Sequence, residues 1–121
     1  GWGFLRIFDL GQGGTPQIGS FHTPNSLDPS RNRKGDYTIH NPVVVGTKAY
    51  LSWYTDGIRV VDISNPTASV ELARFVPPAA KDPQHILPFA AEVWGVVVNE
   101  DGLIYGSDMN SGLWILHETN P

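Results

Sequence analysis

Residues Tyr50–Val61 read YLSWYTDGIRVV, and residues Tyr105–Leu116 read YGSDMNSGLWIL. Set side by side without a gap, at an offset of 55 residues, the two share an aromatic, a Ser, a Gly and several apolar or strand-forming positions. Further out, Leu5–Leu10 (LRIFDL) matches Ile58–Ile63 (IRVVDI) at an offset of 53. Gln17–Phe21 (QIGSF) matches Glu71–Phe75 (ELARF) at 54. A fixed period of this length belongs to stacked or radially arranged units, each too small to bury its own apolar face.

Between these matches, 13 Gly and 10 Pro punctuate short stretches rich in Val, Ile, Trp, Tyr and Phe. No stretch sustains a helical period with caps, so the chain reads as all-β. Strands are expected at Phe4–Leu10, Gln17–Phe21, Thr38–Val45, Ala49–Tyr54, Ile58–Ile63, Val70–Val76, Val93–Val98, Leu103–Asp108 and Leu113–His117. Thr55-Asp56-Gly57 and Asn110-Ser111-Gly112 read as tight hairpin turns, with Gly where a positive φ is needed. Two connections are longer, Thr23–Asp36 and Pro77–Ala91, and both interrupt the repeat at the same point. Insertions that recur at one point of a repeat emerge on one face, often the one that binds.

By role, the middle unit (residues 37–76) has four strands, a to d. Residues 1–23 carry only c and d, residues 92–121 only a, b and c, and residues 24–36 and 77–91 are the inserted loops. Four-stranded units of this size are β-propeller blades, and about two and a quarter of them cannot close a ring that needs about four to eight. The expectation is therefore an incomplete ring, the C-terminal piece of a larger propeller, closed by further blades or other copies of the chain.

Composition narrows the function classes. A net charge of −4, with only Arg31, Arg33 and Lys34 clustered, argues against nucleic acid. No apolar run approaches the roughly 20 residues of a membrane-spanning helix. The absence of Cys excludes disulfides and thiolate metal sites. Nucleophilic catalysis has no foothold, since no G-x-S-x-G elbow occurs. Gly11-Gln12-Gly13-Gly14 leads into another strand rather than the helix a phosphate loop requires.

The segment Gly57–Phe75 (GIRVVDISNPTASVELARF) resembles the LVIVD repeat, a bacterial and archaeal propeller unit. Gly3–Leu10 (GFLRIFDL) with Pro16–Phe21 is similar to the same unit, and Trp94–Leu116 to a terminal blade. The resemblance implies a propeller, commonly exported or surface-associated, in a family mostly without a defined activity. A more remote likeness to selenium-binding and methanethiol oxidase propellers matches none of their motifs residue by residue.

His40 stands at the start of an a strand, and His85 in the loop before the next, with Glu92 and Trp94 following. Together with Asn41 these residues form the expected ligand or partner surface at the propeller mouth. Two imidazoles and a carboxylate there would suit a divalent metal, but their spacing carries no ligand signature. A His-Asn-Pro at a strand start is more often a turn-former. Asp108-Met109-Asn110-Ser111-Gly112 echoes a calcium loop, yet Thr119 stands where the bidentate Glu belongs, and hairpin chemistry explains the residues.

Asp9 and Asp62 recur at equivalent places and are expected to accept backbone hydrogen bonds from the following turn. Arg6 and Arg59 recur likewise and are expected to pair with acids at the surface. Trp2, Trp53, Trp94 and Trp114 are expected to pack between neighbouring blades. The function expected from all this is a non-catalytic scaffold with a protein partner, in an extracellular, cell-surface or periplasmic protein. A metal-dependent, oxidase-like enzyme using His40 and His85 is the alternative.

Overall fold

The computed structural model describes residues 3–11, 13–79 and 87–119. The chain is all-β, with one 3-10 turn among the described residues. Its strands are β1 (Leu5–Phe8), β2 (Gln17–Phe21), β3 (Asn41–Val45), β4 (Lys48–Ser52), β5 (Ile58–Asp62), β6 (Val70–Phe75), β7 (Val93–Val98), β8 (Ile104–Asp108) and β9 (Gly112–Leu116). They form three antiparallel sheets, ordered β1-β2, β3-β4-β5-β6 and β7-β8-β9, with no closed barrel among the described residues.

The four-stranded sheet lies in the middle, and its composition shows why. Along β4, Ala49 and Leu51, followed by Trp53, join Leu5 and Val61 in one buried cluster, on the side of the first sheet. Tyr50, alternating with them, joins Ile58 and Val60 of β5 and Val93, Val96 and Ile104 of the third sheet in a second cluster. Successive side chains of a strand point to opposite faces, so a strand covered on both sides needs apolar residues at nearly every position. The continuous run AYLSW meets that requirement. Leu51, Trp53 and Val61 are fully buried, each contributing about 1.5–3 kcal/mol of transfer free energy.

Close approach between sheets sets some residues by size. A Cβ at Gly106 of β8 would lie 2.4 Å from Ile58 Cδ1, so a larger residue there would push the Ile58 methyl aside where the second and third sheets meet. Gly57 has φ 77°, and a Cβ on it would lie 2.2 Å from Phe75 O. It satisfies both the turn and the seat of β6. Backbone bonds also cross between sheets: Ile39 N donates to Gly3 O at 2.8 Å, and Tyr54 exchanges bonds of 3.1 and 3.0 Å with Val93.

Asp9 Oδ1 accepts from Gly11 N and Asp62 Oδ1 from Ser64 N, each at 2.8 Å, so the recurring Asp holds the turn that follows it. The recurring Arg differs from expectation. Arg59 is buried rather than at the surface, where it pairs with Asp56 at 3.1 Å and Glu71 at 3.2 Å. Arg6 lies over the Phe4 ring at 4.6 Å instead of against an acid. The tryptophans also divide. Trp53 packs edge-on against Phe21 between the first two sheets, and Trp114 leans on Phe75. Trp94, on the third sheet, meets His40 and Tyr54 beside the second, but stays half exposed at the rim. Trp2 lies outside the described residues.

Candidate functional site

Both long connections are fastened to hairpin turns at one end of the sheets. Asp56, in the turn between β4 and β5, accepts from Thr23 Oγ1 at 2.5 Å and Asn25 Nδ2 at 2.7 Å. This holds the start of the first loop, which then forms a 3-10 turn over Pro29–Arg31 capped by Asp28. Asn110, in the turn between β8 and β9, takes the corresponding part for the second loop. It accepts from Leu87 N at 3.0 Å and donates to Phe89 O at 2.5 Å. Leu27, Pro29, Asp36, Tyr37 and Thr38 of the first connection and Phe89 of the second line one cavity of about 360 Å³.

Beside it, three rings converge. His40 stacks on Trp94 with centroids 4.0 Å apart, and Tyr54 meets both edge-on at 5.6 and 6.1 Å. Tyr54 holds φ 35°, the one non-Gly residue at positive φ among the described residues. That left-handed conformation lets its backbone bridge to Val93 while Thr55 N donates to Asp36 O at 3.0 Å. Asn41 sits beside the rings, where its Oδ1 accepts from Ser52 Oγ at 2.7 Å.

Three carboxylates surround this cluster. Asp36 accepts from Thr38 Oγ1 at 2.7 Å. Asp108 is saturated, taking Glu92 N at 2.5 Å on one oxygen and Ser111 N and Oγ on the other. Glu92 is 3% exposed, and its carboxylate receives no hydrogen bond or ion pair from the described residues. Burial, then the charges of Asp36 and Asp108, push its pKa up to about 7. Burial, then the charges of Asp36 and Glu92, also raises the Tyr54 phenol.

Of the residues expected at the site, the fold therefore brings together His40, Asn41, Glu92 and Trp94. His85 lies outside the described residues, and with it the pairing of His40 and His85 on a metal. Among the described residues, no group of three or more His, Cys, Asp and Glu is placed to hold a metal ion. Sequence reasoning missed Asp36 and Tyr54, and read Asp56 and Asn110 as turn-formers alone. The usable signal was position: each anchor sits in a hairpin at the same end of the repeat as the loop it holds. No helix among the described residues is long and apolar enough to cross a membrane. No family model, curated protein or solved structure matches this chain.

Proposed function

We propose that the three sheets are blades of an LVIVD-type β-propeller, acting as a non-catalytic scaffold in an exported or surface protein. It binds a protein partner through the face that carries the two long loops. The reading is carried by one observation: connections far apart in sequence are each pinned by a hairpin turn and line a common cavity. Rigid turns presenting variable loops are a recurrent way for an all-β framework to build a binding surface. The repeat and the resemblance support the blade reading, as do apolar side chains left exposed on the outer strands, Leu113 and Ile115 on β9 and Val70 and Leu72 on β6.

Two measurements test it. In solution, the native protein should have a mass well above that of one copy of this chain; a stable species of that single mass removes the propeller. A photo-crosslinking residue at Leu27, on the loop face, should capture a protein partner that the same group at Val44, near the opposite end, does not. Equal capture from both positions, or none from Leu27, rejects the loop face as the binding surface.

A further inference from the structure

The ring cluster and its carboxylates form a site of definite chemistry. Trp94 is half exposed, His40 lies exposed against its ring, and Tyr54 closes the group from the side. Tyr54 sits between the two acids: its backbone pairs with Val93, next to Glu92, and the following Thr55 pairs with Asp36. Glu92 is a nearly fully buried carboxylate without a donor among the described residues. Among the described residues, the buried Arg59 is committed to Asp56 and Glu71, and Lys48 to Glu118 at the far end.

We infer that this cluster binds an organic cation, an ammonium or guanidinium group seated on the Trp94 and Tyr54 rings and held by Glu92 and Asp36. The inference rests on the loop face being the binding face, and adds what that face recognises. Aromatic faces attract cations through the ring quadrupole, and favour those weakly hydrated enough to leave water. A small inorganic ion would instead need three or four converging ligands, which are not present among the described residues. A bound positive charge also relieves the repulsion among Asp36, Glu92 and Asp108. Among the described residues, those three, with Tyr54 and His40, are the titratable groups that face the site from β8, the two loop ends and the turn after β4. Because Glu92 ionises near pH 7 in the free protein, affinity for the cation rises as pH is taken upward through neutrality.

The test is a titration of the whole protein followed by the indole and Tyr ring resonances. The probes are tetramethylammonium, agmatine and an Arg-containing peptide, each against potassium chloride at matched ionic strength. Saturable shifts at Trp94 and Tyr54 are expected with the organic cations and not with potassium. Trp94→Ala, followed through Tyr54, and Glu92→Gln should each weaken binding by about tenfold. Trp94 is half exposed, so its removal leaves both apolar clusters intact and keeps the test meaningful if Glu92→Gln misfolds. Tighter binding of the peptide than of agmatine assigns a basic side chain as the natural ligand. Equal binding assigns a free amine. An identical response to potassium, or unchanged affinity in both variants, overturns the inference. If cations fail to bind while Leu27 still captures a partner, this inference alone falls and the scaffold stands.

Discussion

The hairpins β4–β5 and β8–β9 are copies of one motif that stabilise themselves with different chemistry. At the offset of 55 residues, Trp53, Asp56 and Arg59 correspond to Asp108, Ser111 and Trp114. In both, the residue three beyond the turn position reaches back to it. Arg59 Nε donates to Asp56 O at 3.0 Å, and Trp114 Nε1 donates to Ser111 Oγ at 2.8 Å. The first hairpin thus carries a buried ion pair, completed from β6 by Glu71. The second carries one buried carboxylate, satisfied almost wholly by backbone and hydroxyl donors. A repeat conserves the place from which a turn is braced more strictly than the residue that braces it. The ion pair, moreover, adds a dependence that the second hairpin lacks, because removing the Asp56 carboxylate leaves a buried cation behind, whereas Asp108 is held by uncharged donors.

The largest effect should come from breaking that pair on one side. Asp56→Ala leaves the buried Arg59 guanidinium with Glu71 as its one carboxylate partner among the described residues and releases Thr23 and Asn25, and should cost about 3–5 kcal/mol in urea unfolding. Adding Arg59→Met to it should recover part of the loss. If the double variant is less stable than the single one, the charge argument is wrong. Asp108→Ala in the other hairpin should cost less, about 1–3 kcal/mol, since it orphans only neutral donors. Equal losses at the two sites would erase the distinction between the hairpins.

Glu92→Gln should move stability the other way. Folding raises this pKa from 4.5 to about 7, so the native state holds more protons than the unfolded chain in that window. The associated stability is complete below the unfolded value and lost as pH rises through the folded one. The Gln variant should therefore gain about 1–2 kcal/mol over the parent at pH 8, shrinking to nothing near pH 4. A constant difference across that range would show that Glu92 ionises normally. The smallest effect belongs to Trp114→Phe, which keeps the ring against Phe75 and loses one hydrogen bond, about 1 kcal/mol by thermal unfolding.

Much of the fold was legible because it is written in short-range chemistry. Strand periods, the Asp-Gly and Ser-Gly turns and the offset between copies mark nine strands to within a few residues at their ends. The Thr38–Val45 strand begins three residues later than its apolar pattern suggests. Asp36, Thr38 and Ile39 are tied instead to each other, to Thr55 and to Gly3. The Ala49–Tyr54 strand stops at Ser52, because Trp53 N bonds to Gly57 O and Tyr54 turns left-handed. The candidate site was half legible. His40, Asn41, Glu92 and Trp94 announce themselves by lying at strand starts. Tyr54 joins them through its backbone bonds to Val93 of the third sheet, and Asp36 through its bonds to Thr55, which no local pattern records. Arg59 was misplaced to the surface for a related reason: its burial depends on Asp56 and on Glu71, 12 residues on in the neighbouring strand.

Glu118, just past β9, reaches back to β4, taking Lys48 Nζ at 2.6 Å and Tyr50 OH at 2.7 Å. These two donors hold its carboxyl below the usual range, while burial, then the hydrogen bond to Glu118 and its negative charge, lifts the Tyr50 phenol to about 12. The clasp lies at the opposite end of the seam between the second and third sheets from Glu92. Acid weakens it, since its contribution is lost as pH falls through the lowered pKa, whereas alkali weakens the Glu92 end. The junction therefore works loose from one end in acid and from the other in base, and resists sliding best in the mildly acidic interval between.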